Sequence, residues 1–289
     1  MPAGGVVQVA ARLAHAATEG AYRRMTFAAP GVAALARPGQ FVALTVGGRT
    51  AATLLRRSFS ILRVDLEDDT VEIVVAAHGP GTVWLTEVGL DVEVDLVGPL
   101  GRPFPLPTEP VPCVLVGGGY GSAPLFWLAQ ALRERGCHTE LILGAASADR
   151  LFGVDRAREV ADGLTVTTDD GSMGTTGWVT HVLPGVARLC GAAVVYACGP
   201  MPMLRAVTEV AGREGAVAQV AVEEAMACAI GVCMTCVLPV RGRDGRTRMV
   251  RACVEGPVFP ADRVRWDALG EGRARVPGDA VGAPAQGGH

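Results

Sequence analysis

Lysine is missing from the 289-residue sequence, so its 26 basic residues are all arginine. Against 29 acidic residues they leave a net charge of -3. That balance gives no electrostatic reason to bind nucleic acid or an anionic membrane. Alanine, glycine, valine and arginine are abundant, and the missing lysine reads as GC-rich coding bias rather than function. The first residues, MPAGGVVQVAARLAH, lack a basic stretch ahead of an apolar core, so no signal peptide is expected. Charge is also absent from residues 110–132, a run long enough to cross a bilayer. It holds Gly117, Gly118, Gly119, Gly121, Pro124 and Gln130, which suit a strand, a tight turn and a helix instead. A soluble cytoplasmic chain without membrane contact is the expectation.

The length allows two domains and a small third. Residues 1–105 read as β-rich: GQFVALTV, RRSFSILRV, DTVEIVVAAHG and LDVEVDLVGPLG are short apolar runs separated by Gly, Pro and Asp turns at barrel-like spacing. GPGTVWLTEVG, 79–89, predicts one short helix among them. Five prolines in PFPLPTEPVP, 103–112, predict an extended connection. Beyond it strands and helices alternate over 106–220, the pattern of a doubly wound parallel α/β sheet. Residues 221–262 form a cysteine-rich module. The Gly-, Ala- and Pro-rich end, 263–289, predicts an unordered tail.

Four of the eight cysteines fall in the cysteine-rich module. CAIGVCMTC, 228–236, supplies Cys228, Cys233 and Cys236, and Cys253 follows after sixteen intervening residues. Plant-type [2Fe-2S] proteins use this Cys-x4-Cys-x2-Cys spacing with a distant fourth cysteine. A short loop wraps the centre and aims three thiolates inward, and small residues (here Ala227, Ala229 and Gly231) let backbone N–H groups approach. Structural zinc takes two separated pairs, which three ligands in nine residues fit poorly. A Rieske centre needs two histidines, and none lies between His181 and His289. Disulfides would be strained in so tight a loop and out of place in the cytoplasm. Cys113, Cys137 and Cys190 read as buried small hydrophobes.

Other segments carry weaker signals. VLVGGGYGSAPL, 114–125, places Gly117, Gly118, Gly119 and Gly121 between a strand and a helix. Such a turn suits a pyrophosphate or packing alone. YACGPMPML, 196–204, repeats the arrangement with Cys198, Gly199 and Pro200. RRSFS, 56–60, sets Arg57 beside Ser58, Phe59 and Ser60, a set that suits a phosphate or a flavin or a solvated strand. HGPGT, 78–82, places Gly79, Gly81 and Thr82 where backbone amides could hold a second pyrophosphate. TDDGS, 168–172, reads equally well as a solvated turn.

Taken in order, these pieces resemble the electron-transfer subunits of class B dihydroorotate dehydrogenase, within the ferredoxin–NADP⁺ reductase superfamily. The resemblance covers roughly residues 5–262 and is most specific in the cysteine segment through CVEGPVF, 253–259. GGGYGSAPL, TDDGSMGTTGWVT and CGPMPML match in order and spacing. It implies an FAD-binding β-barrel, an NAD(H)-binding α/β domain and a [2Fe-2S] module with Cys228, Cys233, Cys236 and Cys253 as ligands. In the family's Arg-Pro-x-Ser motif the arginine and serine contact FAD, and Arg57 and Ser60 stand there with Ser58 in place of proline. Gly79, Gly81 and Thr82 match Gly-x-Gly-Thr, implying backbone and hydroxyl contacts to the FAD pyrophosphate. GPLG, 98–101, also fits, with Pro103 where glycine is common. Ala229 replaces a glycine of the family's cluster loop. The implied partner is an FMN-containing dihydroorotate dehydrogenase catalytic subunit, in a heterotetramer with two copies of each chain. The implied function is relay of electrons from that FMN through [2Fe-2S] and FAD to NAD⁺. Two rivals are a related reductase subunit, of a sulfhydrogenase or an NADH-dependent ferredoxin:NADP⁺ oxidoreductase, and a non-catalytic zinc-stabilised nucleotide sensor.

Overall fold

A computed structural model describes residues 5–48, 53–270 and 273–282. Six strands close an antiparallel barrel: β1 (Val7–Glu19), β2 (Tyr22–Ala28), β3 (Phe41–Leu44), β4 (Arg57–Asp65), β5 (Thr70–Ala76) and β6 (Glu93–Leu100), ordered β1-β2-β5-β4-β3-β6. The strand period of two sorts their side chains. On β4, Phe59 and Ile61 point into the barrel core with Phe27, Leu44 and Ile73. The next residue, Leu62, turns outward, where it packs with Val74 and Tyr22 against the next domain. Helix α1 (Pro80–Glu87) follows β5, as GPGTVWLTEVG predicts.

The prolines of 103–112 run without regular structure to β7 (Cys113–Gly118). The connection is anchored: Phe104 is buried, and the Tyr196 hydroxyl donates to the Pro105 carbonyl (2.8 Å). Then come α2 (Ala123–Arg133), β8 (Thr139–Ala145), α3 (Val154–Val160), β9 (Gly163–Thr168), β10 (Thr175–Thr176), α4 (Val179–Cys190), β11 (Val194–Cys198), α5 (Met201–Arg213) and β12 (Val217–Ala221). The charge-free run at 110–132 thus divides into a strand, a turn and a helix. No helix among the described residues is long and apolar enough to cross a membrane. The parallel strands are ordered β10-β9-β8-β7-β11-β12. β7 is buried on both faces, which explains its unbroken apolar sequence.

The cysteine segment, 222–236, has no helix or strand. It leads into a hairpin of β13 (Val237–Arg241) and β14 (Thr247–Arg251), a short helix α6 (Ala252–Glu255) and β15 (Val258–Pro260). β15 returns to pair antiparallel with β12, Val220 opposite Phe259. The division expected at 220/221 therefore falls inside β12, and the cysteine module is hydrogen-bonded to the α/β sheet. It also meets the barrel, because the Gly256 carbonyl accepts from the Arg102 amide (2.6 Å).

The tail expected from residue 263 is ordered over much of its length. Arg265 forms ion pairs with Asp267 (2.9 Å) and Asp279 (2.8 Å), and the Val281 amide donates to the Thr247 carbonyl (2.8 Å). Composition hides this because the Arg265–Asp279 pair and the Val281–Thr247 bond join residues far apart in sequence. Residues 271–272 and 283–289 lie outside the described residues.

Candidate cofactor sites and cysteine centre

Two cavities open where the three parts meet. The first, about 570 Å³, lies at the carboxyl ends of the parallel strands and is lined by Gly118, Gly119, Ala145, Thr167, Trp178 and Pro200 among others. Ligands of open α/β sheets bind at this edge, and the first turn of the 13-residue α5, at Pro202 and Met203, also faces the space. Gly118, Gly119 and Pro200, which the sequence offers as candidate nucleotide contacts, therefore line one cavity. Gly117 does not line the cavity. A Cβ there would come within 2.6 Å of Ser122 Cβ, so this glycine lets the start of α2 close on β7. Gly199 has φ +149° and packs on Gly118. Cys198 is buried, and burial together with the nearby Glu223 charge raises its pKa, keeping it a thiol.

The second cavity, about 400 Å³, lies between the outer face of the barrel and the cysteine module. Ser58, Phe59 and Ser60 line it from β4, Gly121 from the glycine turn, and Met226 and Pro257 from the cysteine module. Ser58 Oγ is buried and has no hydrogen-bond partner. A buried orphan hydroxyl beside a cavity is a group that a heteroatom-rich ring system would satisfy. Arg57 and α1 meet at another point of the barrel. A Cβ on Gly81 would stand 2.7 Å from Val46 Cγ2 and 3.4 Å from Arg57 Nε, so the glycine brings the first turn of α1 against the guanidinium. Amides and a guanidinium converging in this way suit a pyrophosphate. Thr82 serves the turn itself: its hydroxyl accepts from the amides of His78 (2.9 Å) and Gly79 (3.1 Å).

Tyr120 and Glu223 line both cavities, and no motif in the sequence assigns a role to either. Tyr120 is the one bulky residue in the glycine turn, and Glu223 ends the run out of β12. Only the topology shows that they meet. Glu223 is exposed to the cavities, yet the protein around its carboxyl raises its pKa. Burial, then the Glu223 charge, raises that of Tyr120.

The four cysteines of the module fall into two neighbouring pairs, Cys228 with Cys233 and Cys236 with Cys253, and Cys228 is within electrostatic reach of Cys253. Cys236 and Cys253 are each 2% exposed, Cys228 is partly buried and Cys233 is exposed. Backbone amides already point at sulfur: Val232 (3.3 Å) and Cys233 (3.4 Å) donate to Cys228 Sγ, and Cys253 (3.5 Å) donates to Cys236 Sγ. The Thr235 hydroxyl donates to Cys233 Sγ (3.1 Å). Hydrogen bonds from Thr235, then from Cys228, pull the Cys233 thiol down to about 6. Burial and the neighbouring Cys236 push Cys253 up to about 12. The donors that the module offers are all sulfur, three of them within nine residues, with loop amides directed at them. Such a set fits an iron–sulfur cluster, whereas structural zinc takes two separated pairs.

Ala229 takes φ +65°, Gly231 +85° and Met234 +60°. The left-handed turn at 229 is one that glycine adopts without strain. An alanine in this region costs about 1 kcal/mol. Ala229 is also 2% exposed, and burying its methyl returns about 0.8 kcal/mol. Ala229→Gly is therefore expected to stay within about 0.5 kcal/mol of the parent in denaturant titration, with unchanged iron content.

Residues 223–265 match the iron-sulfur cluster binding domain of dihydroorotate dehydrogenase B. The chain is 37% identical over 232 residues to the electron transfer subunit of dihydroorotate dehydrogenase B (NAD(+)) from Fusobacterium nucleatum, covering 78% of this chain and 86% of that one. The subunit of the same name from Geobacillus thermodenitrificans is 39% identical over 236 residues, covering 81% and 88%. Among solved structures, an NADH-dependent reduced ferredoxin-NADP oxidoreductase, described for flavin-based electron bifurcation, superposes with a TM-score of 0.79 at 30% identity, covering 90% and 91%. With this identity sustained across barrel, α/β sheet and cysteine module, the chain belongs to the family of dihydroorotate dehydrogenase B (NAD(+)) electron transfer subunits.

Proposed function

We propose that this cytoplasmic chain relays electrons from the FMN of a dihydroorotate-oxidising partner subunit to NAD⁺, through three sites placed in a row. The observation that carries the reading is the sharing of residues between neighbouring sites. Met226 and Pro257, close in sequence to Cys228 and Cys253, line the second cavity, which shares Tyr120 and Glu223 with the first. When bound, the [2Fe-2S] centre exchanges single electrons, FAD one or two, and NAD(H) a pair as hydride.

The chain's residues bind and orient. Cys228, Cys233, Cys236 and Cys253 hold the iron. Ser58, Phe59, Ser60 and Gly121 shape the flavin pocket, Arg57 and the first turn of α1 hold its pyrophosphate, and Gly118, Gly119 and Pro200 seat the dinucleotide. Tyr120 and Glu223 line both cavities and would limit water between flavin and nicotinamide when these are bound. Oxidation of dihydroorotate is the partner's chemistry, and none of these residues acts as its acid or base.

The partner docks at the cluster loop. Ile230, Val232 and Met234 are 54%, 76% and 54% exposed around the exposed Cys233. Apolar side chains around an electron outlet suit an interface that excludes water and shortens the path. The test is purification of the full chain with its partner. The parent is expected to carry flavin and iron absorbance and to reduce NAD⁺ from dihydroorotate. Val232→Glu is expected to keep both chromophores and to weaken partner binding at least about thirtyfold, because a charge is buried unpaired. A colourless parent chain overturns the reading, and full partner affinity in Val232→Glu overturns the docking surface.

A further inference from the structure

Arg251 is not among the cluster ligands and lines neither cavity, yet its side chain reaches the middle of the cysteine loop. Nη1 donates to the Gly231 carbonyl (2.9 Å), and Gly231 lies between Cys228 and Cys233. Nη2 donates to Glu255 Oε1 (2.8 Å), and the Arg251 amide donates to Glu255 Oε2 (2.9 Å). One carboxylate thus holds both the backbone and the guanidinium of the arginine. The pair is partly buried, with side-chain exposures of 35% and 30%. Arg251 sits opposite Val237 in the β13–β14 register, and the next amide, Ala252, donates to the Cys236 carbonyl (2.8 Å). The approach is close on the loop side as well. A Cβ on Gly231 would lie 2.5 Å from Val254 Cγ2 and 3.4 Å from Arg251 Nη1.

Two consequences follow from this placement. The guanidinium ties the loop that carries three cysteines to the segment that carries the fourth. It also sets one positive charge within electrostatic reach of Cys236 and Cys253. A nearby positive charge favours the more negative, reduced form of a cluster and raises its potential. The Glu255 carboxylate works against it. We propose that Arg251 is a positioning residue that clamps the cluster loop through Gly231 and, balanced by Glu255, sets the reduction potential of the centre. Glu255 is then the trimming charge, and the clamp fixes how readily the partner's electrons enter this chain. The proposal rests on the iron–sulfur reading of the four cysteines.

The experiment is an EPR-monitored redox titration of the full chain with its bound flavin, with iron counted per chain. Arg251→Gln is expected to lower the cluster midpoint and Glu255→Gln to raise it. Arg251→Lys keeps the charge but loses the fork. It is expected to hold the midpoint near that of the parent while amide exchange of residues 229–233 speeds up severalfold. Midpoints that do not move, or that move the same way in Arg251→Gln and Glu255→Gln, overturn the proposal. An Arg251→Lys midpoint as low as that of Arg251→Gln also overturns it. If Arg251→Gln purifies without iron, Glu255→Gln decides alone, and an unmoved or lowered midpoint overturns the proposal. A parent chain without iron overturns the cluster reading and this proposal with it. A parent with a normal signal but unmoved variants overturns this proposal only.

Discussion

Cys236→Ala is expected to give a chain that binds FAD and NADH but holds no iron–sulfur centre. In complex with the partner, its dihydroorotate-driven reduction of NAD⁺ falls more than about a hundredfold, since losing a direct ligand exceeds the 10–100-fold cost of losing a supporting contact. Cys236 is 2% exposed and stands where loop and hairpin join. Its Sγ accepts from the Cys253 amide and its carbonyl from the Ala252 amide. The substitution removes a sulfur that the neighbouring chain already addresses, and the module has no fifth cysteine to replace it. Neither cavity is lined by Cys236, so NADH-dependent reduction of an artificial electron acceptor should persist. Cys198→Ala is the control. That thiol is also buried but lies on β11, outside the cysteine loop and its hairpin, and its loss should leave iron content unchanged. Iron lost in both variants would mean that the effect is one of folding. Iron kept in Cys236→Ala would remove Cys236 from the ligand set.

The contrast between those two cysteines shows how legible the site is in the sequence. Cys228, Cys233, Cys236 and Cys253 are readable because a cluster fixes its ligands by short local spacing, and three of the four lie on one loop. The turn at 117–121 and the Gly-Pro after Cys198 are readable because each joins a strand to a helix locally. Tyr120 and Glu223 are 103 residues apart and meet only through the parallel strand order, so no local pattern shows them as a pair. Secondary structure follows the same rule. Helix α4 is hard to read because Pro184 and Gly185 interrupt it, although Val179, Leu183 and Ala187 bury one face at helical spacing. Helix α3 has only seven residues, and Ala157 is its one buried side chain, too little for an apolar stripe. β15 is three residues long and gains its identity from β12 rather than from its own sequence. Composition alone assigns 263–289 to a tail, and the Arg265–Asp279 pair shows how a long-range contact overrides composition.

That long-range geometry makes Gly121 a sensitive glycine beside the cavities. A Cβ at this position would lie 2.7 Å from Gly199 Cα, 3.0 Å from Gly199 N and 3.0 Å from Glu223 Oε1. Two of these obstacles are backbone atoms, which cannot turn aside as a side chain does. Gly121→Ala must push the turn after β7 away from the turn after β11, and these turns form the wall shared by the two cavities. Overpacking of this kind costs about 1–3 kcal/mol. The same displacement should raise the dissociation constant for NADH at least about tenfold, the equivalent of 1.4 kcal/mol. Calorimetric unfolding and NADH titration of the flavin-loaded chain read the two effects separately. Gly212→Ala supplies the opposite case. This glycine lies near the end of α5, and a Cβ there would meet nothing within 4 Å. Alanine should therefore stabilise the helix by up to about 1 kcal/mol and leave NADH binding alone. If Gly121→Ala binds NADH as the parent does, the touching turns at 121 and 199 are packing alone. The nicotinamide must then be seated by Gly118, Gly119 and Pro200 without help from the wall behind them.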